Sequence, residues 1–298
     1  MSAYTTVCRS SDRAEWLEAR RSGIGSSDAA AVLGASPFAS PLSVYTDKLG
    51  ETGEQEETEA MRWGTLLEPV VIAEFGKVTG RPVLRDGDLV RSNDHPFMLA
   101  TCDASQTKER WSGVPGVLEI KTSGFGNWED GIPRHVWVQI QHQMAVTGKT
   151  WGSVAVLLGG NRLKWADVER DDKFIAETLI PELADFWQRV QDRRPPKPDG
   201  SESAREALKA LYPDDDGSTV QLPGDLIDLD REREALRLQR KDMDARLELI
   251  DQEIKAAIGG ASAGVLASGV TYTHKLQHRK ETVLAATSFR VLRRTEKR

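Results

Sequence analysis

Gly116-Val117-Leu118-Glu119-Ile120-Lys121-Thr122-Ser123 is a short apolar run that carries a carboxylate and an ammonium two residues apart. In an extended strand successive side chains point to opposite faces, so Glu119 and Lys121 share one face while Leu118 and Ile120 point into a core. One face of this strand is therefore charged. Upstream, Phe97-Met98-Leu99-Ala100-Thr101-Cys102-Asp103-Ala104 reads as a second strand ending in an acid, and the polar stretch from Ser105 to Pro115 has the composition of a hairpin connection. Folding that hairpin brings Asp103 beside Glu119. Two clustered carboxylates repel unless a hard cation sits between them, and oxygen ligands of this kind suit Mg²⁺ or Mn²⁺. Lys121 then stands where it can polarise a phosphate or a water. Glu-x-Lys pairs also occur in many solvated strands; the apolar setting of Leu118 and Ile120 and the companions found elsewhere set this one apart.

At 298 residues with 39% apolar content, the chain can bury a sizeable core, as one large domain or a core with an appendage. No apolar run approaches the roughly 18 residues of a membrane span, and the first residues lack the basic and apolar regions of a signal peptide, so no membrane association and a cytoplasmic location are expected. Cys8 and Cys102 are the only cysteines. They are too few for a disulfide scaffold, a four-thiolate zinc site or an iron–sulfur cluster on four cysteines. The net charge of −6 argues against indiscriminate coating of nucleic acid but allows a local basic channel. The tail from Gly259 to Arg298 holds eight Lys or Arg against two Glu.

From Asp12 to Arg21 the sequence looks helical, with Trp16 and Leu17 as apolar anchors. Ser22-Gly23-Ile24-Gly25-Ser26-Ser27-Asp28 then forms a glycine-serine loop feeding the short helix Ala29-Ala30-Ala31-Val32-Leu33, which Gly34 stops and Ser26 or Ser27 caps. That is either an ordinary cap or, with Arg20 nearby, a phosphate pocket. Residues Glu51 to Glu59 include five Glu in nine positions and read as a solvated loop. In the next segment Leu67, Val71, Phe75 and Val78 repeat at helical spacing. Pro69 kinks this helix or starts a new one, and Glu68 sits at that irregularity as either a ligand or a helix-end carboxylate in water.

Pro133 opens a helix closed by Gly148, with Val136, Ile140, Met144 and Thr147 on one face and Gln139 and Gln143 on another, either solvated or orienting a water or phosphate near a metal. Val154 to Leu158 is a buried strand, and Asn161 to Val168 its partner across Gly159-Gly160. Lys173 to Arg193 is an amphipathic helix, and the α/β core ends near Arg194. Proline and aspartate clusters then flank a short helix, giving a core at 1–200, a linker at 201–224 and a C-terminal part at 225–298. In that last part Leu229, Leu236, Met243, Ile250 and Ala257 recur every seven residues, with Leu247 and Ile254 joining the seam. Arg233 and Arg240 at the other seam position disfavour a long symmetric coiled coil. Val270 to Lys275 and Ser288 to Arg293 look like two short strands with a basic face.

Read together, these pieces resemble the YqaJ-type viral recombinase family, which includes the phage lambda exonuclease, within the PD-(D/E)xK nuclease superfamily. The resemblance rests on Trp16-Leu17-x-x-Arg20 followed by Ser27, on Trp63-Gly64-x-x-x-Glu68, on Asp103 with Glu119-x-Lys121, and on Gln139-Ile140-Gln141, in that order. It covers about Asp12 to Gly148. It implies an α/β, restriction-endonuclease-like core with a central mixed β-sheet flanked by helices, followed by a long helix and a short β-hairpin. It further implies that Asp103 and Glu119, the Ile120 carbonyl and Glu68 hold Mg²⁺ or Mn²⁺, two ions per site. Lys121 would assist the attacking water, Gln139 would be the active-site glutamine, and Arg20 with Ser27 would bind the terminal 5′ phosphate. Cys102 stands where the superfamily name implies a proline.

The activity implied is 5′-to-3′ exonuclease digestion of linear double-stranded DNA, leaving a 3′ single strand for phage-type homologous recombination. A homo-oligomeric ring such as a trimer and a single-strand annealing partner are implied as well, in a bacterial host and on a phage or prophage protein. Two other readings share much of this evidence: another PD-(D/E)xK endonuclease, and a catalytically inactive DNA-binding or assembly protein. Arg20 and Ser27 weigh against the first, and the full set of Glu68, Asp103, Glu119 and Lys121 against the second.

Overall fold

The computed structural model describes residues 2–9, 13–52, 58–108, 113–124, 128–278 and 292–294. Most of the Glu51–Glu59 loop, the tip of the Ser105–Pro115 connection and most of the strand expected over Ser288–Arg293 lie outside the described residues. Two compact units divide the chain, Met1–Pro213 and Asp214–Arg298.

The first unit opens with strand β1 (Tyr4–Cys8) and helices α1 (Arg13–Arg21), α2 (Ser26–Val32), α3 (Pro41–Leu49) and α4 (Glu59–Thr79). Strands β2 (Val83–Arg85), β3 (Leu89–Ser92), β4 (Leu99–Ala100), β5 (Ala104–Gln106) and β6 (Gly116–Ser123) follow. Then come α5 (Arg134–Thr147), β7 (Trp151–Leu158), β8 (Arg162–Glu169), α6 (Asp172–Phe174), a π-helical turn at Ile175–Leu179, α7 (Ile180–Gln191) and α8 (Glu202–Leu211). The main sheet has the order β2-β5-β6-β7-β8, and β1-β3-β4 form a separate three-stranded sheet. Within the main sheet β6 and β7 are parallel while every other pair is antiparallel. A parallel pair needs a crossover, and α5 supplies it. The expected α/β architecture, a central mixed sheet flanked by helices, is what the chain adopts.

Alternation along β6 decides which helix meets which side chain. Leu118 and Ile120 pack with Val71, Ile72 and Phe75 of α4, and Val117 packs with Val136, Ile140 and Met144 of α5. Glu119 and Lys121, on the Val117 side, therefore face α5. Phe75 is fully buried, which contributes about 1.5–3 kcal/mol. The closeness of α5 requires Gly152: a Cβ there would stand 2.9 Å from both Ile140 Cδ1 and the Val117 carbonyl oxygen.

Several expectations are corrected. The strand read over Phe97–Ala104 is two strands in two sheets, because β4 pairs with β3 and β5 pairs with β2 and β6, with the chain turning between them. Pro69 lies inside one 21-residue helix, so Glu68 is mid-helix. Val78 is exposed, and Ile72 takes its expected place on the buried face of α4. The helix read over Lys173–Arg193 is interrupted by the π turn. Pro181 follows that turn, and its ring and missing N–H disfavour a regular i−4 ladder there. The short helix between connecting segments is α8, whose Ala204 and Ala207 are buried in the main core, so the first unit runs on to Pro213.

The second unit contains α9 (Leu226–Ile258) and the hairpin β9 (Ala263–Val265) with β10 (Thr271–Thr273). The partner of the 270–275 strand is thus β9, upstream of it. Leu229, Leu236, Met243 and Leu247 are exposed along α9. Among the described residues no helix is long and apolar enough to cross a membrane.

His142 on α5 is fully buried, with Nδ1 3.2 Å from Ser26 Oγ. Burial lowers its pKa from 6.5 to about 4, against a small opposing pull from Asp28. A group whose folded-state pKa is depressed stabilises the fold above its unfolded pKa and loses that contribution as pH falls toward the folded value. At about 1.4 kcal/mol per pKa unit, protonating His142 costs the fold roughly 3 kcal/mol. The melting temperature, followed by circular dichroism, should fall between about pH 7 and pH 4.5, and fall less for His142→Gln, since both proteins share the same carboxylates. Equal losses would rule His142 out as the cause.

Candidate active site

Strand register brings the two central carboxylates together. β5 pairs with β6 as Ala104↔Leu118, Ser105↔Val117 and Gln106↔Gly116, so one further step sets Asp103 against Glu119. β5 reaches no further along β6, and the edge of β6 beyond Leu118 is left without a strand neighbour on that side. A cavity of about 520 Å³ lies here, lined by Asp103, Glu119, Ile120, Lys121, Gln139 and Glu68, and also by Trp16, Arg20 and Ser27. All of the site residues expected from sequence thus meet at one cavity.

On the charged face of β6 the carboxylate is buried and the lysine half-buried. Glu119 is 2% exposed. Its Oε1 accepts from Lys121 Nζ and Gln139 Nε2, each at 2.6 Å, and its Oε2 accepts from Gln143 Nε2 at 2.7 Å. Lys121 Nζ also donates to Gln139 Oε1 at 3.0 Å, and Gln143 Nε2 to the Thr101 carbonyl at 3.0 Å. Gln139 and Gln143 lie one helical turn apart on α5, the spacing at which two side chains share a face. Both donate to the carboxylate, Gln143 from a buried position and Gln139 from a half-buried one at the cavity. Burial works most strongly against the Lys121 ammonium, but the Glu119 charge, the hydrogen bond to Glu119 and the Asp103 charge together raise its pKa.

Asp103 Oδ2 accepts the Ile120 amide at 2.7 Å. Burial first, and then the Glu119 charge, push its carboxyl well above the usual range, with the Ile120 hydrogen bond and Lys121 opposing. Glu68 enters from α4, where Arg85 Nη2 donates to its Oε1 at 3.1 Å. Among the described residues, no three His, Cys, Asp or Glu side chains are gathered closely enough to hold a metal ion. The chemistry of the donors nonetheless fits a hard divalent cation: they are all oxygen, and two repelling carboxylates share one ammonium.

The part of the cavity lined by Arg20 and Ser27 departs from expectation in two ways. Neither Ser26 nor Ser27 caps α2; Gly25 is the N-cap, and its amide donates to Asp28 Oδ2 at 3.0 Å. Ser26 is buried against His142, leaving Ser27 exposed to the cavity. Nor is Arg20 free, since its Nη2 donates to Asp28 Oδ1 at 2.8 Å while its guanidinium carbon stands 5.2 Å from the Trp16 ring centroid. Gly23 is required beneath this part, because a Cβ there would meet the Phe97 carbonyl at 2.7 Å, where the Ile24 amide donates to that same oxygen.

Asp28 and Lys48 carry no role in the sequence reading. The signal for Lys48 lay in the pattern of α3, where it falls three and four residues after the buried Tyr45 and Val44. A lysine on an apolar helix face is rare unless paired.

Removing Gln143 strips Glu119 Oε2 of its donor without touching the cavity wall. Gln143→Leu should therefore lower the unfolding free energy by about 2 kcal/mol, the cost of leaving a buried acceptor unsatisfied, as read from urea titration. An unchanged midpoint would show that water satisfies this oxygen.

A YqaJ-like viral recombinase domain matches residues 15–150. The uncharacterized protein YqaJ of Bacillus subtilis (strain 168) is 33% identical over 266 residues, which is 85% of this chain and 81% of that protein. Among solved structures, the alkaline exonuclease LHK-Exo from Laribacter hongkongensis is similar at 24% identity and a TM-score of 0.49, covering 67% of this chain and 100% of that one. LHK-Exo in complex with dAMP gives 25% identity and a TM-score of 0.49 over 66% and 97%. With a third of its residues shared along most of both chains, and with Asp103, Glu119, Lys121 and Gln139 gathered inside the matched region, this chain belongs to the YqaJ-like viral recombinase family.

Proposed function

We propose that the chain is a metal-dependent deoxyribonuclease that digests linear double-stranded DNA from 5′ to 3′ and leaves a 3′ single strand for homologous recombination. The observation that carries this reading is the convergence of Asp103, Glu119 and Lys121 on one cavity that Arg20 and Ser27 also line. A carboxylate–lysine cluster suits phosphodiester hydrolysis; an arginine lining the same cavity suits a terminal phosphate.

Asp103 and Glu119, with Glu68 and the Ile120 carbonyl, would hold Mg²⁺ or Mn²⁺, two ions in the full site. Bound there, such ions supply charge neutralisation for the phosphate and a lowered pKa for water. The Lys121 ammonium, fixed by Glu119 and Gln139, can donate to the attacking water or to a non-bridging phosphate oxygen. Water adds to phosphorus and the bond to the 3′ oxygen breaks, so the departing nucleotide gains a 3′ hydroxyl and the next nucleotide keeps a 5′ phosphate. Each cut thus regenerates the anion that Arg20 would hold, through the charge-assisted hydrogen bonds arginine makes to phosphate. The α2 helix, seven residues long, adds little dipole of its own, so Arg20 carries the recognition. A ring of copies, such as a trimer, and transfer of the 3′ strand to a single-strand annealing protein complete the proposal and rest on the family resemblance.

Asp103→Ala and Glu119→Ala should each abolish cleavage of an end-labelled linear duplex in Mg²⁺ while DNA binding in a gel-shift assay survives, since neither carboxylate is itself a phosphate contact and the cations that are remain in place. Cleavage by either variant would overturn the assignment, and nicking of a closed circular plasmid by the wild type would favour an endonuclease.

Arg20→Ala should slow digestion of 5′-phosphorylated ends by about tenfold or more, the loss of a hydrogen bond to a charged group, with a much smaller effect on 5′-hydroxyl ends. Equal slowing of both would make Arg20 a general backbone contact.

A further inference from the structure

Arg20 faces a difficulty as a phosphate ligand: it is already paired. An Arg–Asp pair is neutral as a unit, and the Asp28 carboxylate beside the guanidinium would repel a phosphate approaching from the cavity. The structure contains a third charge that removes the difficulty. Lys48 of α3 has a side chain with 0% exposure. Its Nζ donates to Asp28 Oδ2 at 2.6 Å and to the Arg20 carbonyl at 3.1 Å. Asp47 Oδ2 stands 3.5 Å from the same nitrogen but is two-fifths exposed, with a side-chain exposure of 41%, so water screens it. Burial favours the neutral acid at Asp28, yet Lys48, Arg20 and the Gly25 amide hold its carboxyl far below the usual range.

Two cations and one anion leave a single net positive charge, and of the three only Arg20 lines the cavity. Buried ion pairs seldom stabilise a fold more than apolar residues of similar volume, so stability alone gives little reason to enclose a lysine here. We propose that Lys48 and Asp28 are positioning residues for the terminal phosphate. The buried ammonium cancels the Asp28 charge, so that Arg20 meets the cavity as an uncompensated cation, and Asp28 fixes the direction of the guanidinium against Trp16. This inference rests on the end-recognition reading proposed above.

The test compares digestion of duplexes carrying a 5′ phosphate with the same duplexes carrying a 5′ hydroxyl, using the full chain. Lys48→Gln makes the triad neutral and should lower the phosphate-to-hydroxyl rate ratio by about tenfold, through KM for phosphorylated ends more than through kcat. Adding Asp28→Asn to Lys48→Gln restores one net positive charge on Arg20 and should return most of the lost ratio. A purely structural role would slow digestion of both ends together and leave the ratio unchanged. Circular dichroism melting shows which variants fold; if Lys48→Gln does not, the double variant leaves no unpaired buried charge and still decides, because a ratio as low as that of Arg20→Ala overturns the proposal. An unchanged ratio in folded Lys48→Gln, beside a discriminating wild type and a defective Arg20→Ala, overturns this inference alone. A wild type that treats both ends alike overturns the end-recognition reading and this inference with it.

Discussion

Glu119 is a carboxylate buried in the middle of a sheet, and much of the first unit can be read as the arrangement that makes this tolerable. A buried anion without partners costs several kcal/mol, so each of its oxygens needs donors. Lys121 comes from the same strand face, two residues on. Gln139 and Gln143 come from α5, which lies over that face because it connects the parallel strands β6 and β7. Satisfying the carboxylate therefore fixes the rotation of α5 about its axis as firmly as the packing of Val136, Ile140 and Met144 does.

The same geometry opens the cavity. Because β5 is three residues long, the edge of β6 that carries Ile120 and Lys121 is not closed by a neighbouring strand. α4 reaches this gap from one face with Glu68, and α5 from the other with Gln139. Asp103, at the turn into β5, is held to the edge by the Ile120 amide. The carboxyl groups are thus delivered from separate elements onto an unpaired strand edge, where a substrate backbone can approach without displacing the sheet.

Around Arg20 the organisation is also electrostatic. Glu119 sits among one ammonium and two amides, Asp28 between one guanidinium and one ammonium. The first group carries one anion with one cation and the second one anion with two cations. The exposed stripe of Leu229, Leu236 and Met243 on α9 shows that the second unit follows a different rule, with its apolar residues displayed rather than enclosed.

The sequence by itself determined the elements that depend on local periodicity and on residue chemistry. Alternation in 116–123 marked a strand with acid and lysine on one face; the Gly159-Gly160 turn marked the β7–β8 hairpin; heptad spacing marked α9. Asp103, Glu68, Gln139, Arg20 and Ser27 were legible as candidates, through their chemistry and their family-like order. What only the tertiary structure decided is where long-range pairing overrides local pattern. Phe97–Ala104 has the composition of one strand, yet it is divided because Leu99–Ala100 and Ala104–Gln106 find partners in different sheets. Nor could the sequence foresee that Gln143 would reach Glu119, or that Lys48, twenty residues beyond Asp28, would be enclosed against it. Those contacts arise only when α5 crosses β6 and α3 packs beside α2, since hydrogen bonds between buried charged groups depend on distances in space that spacing along the chain does not encode.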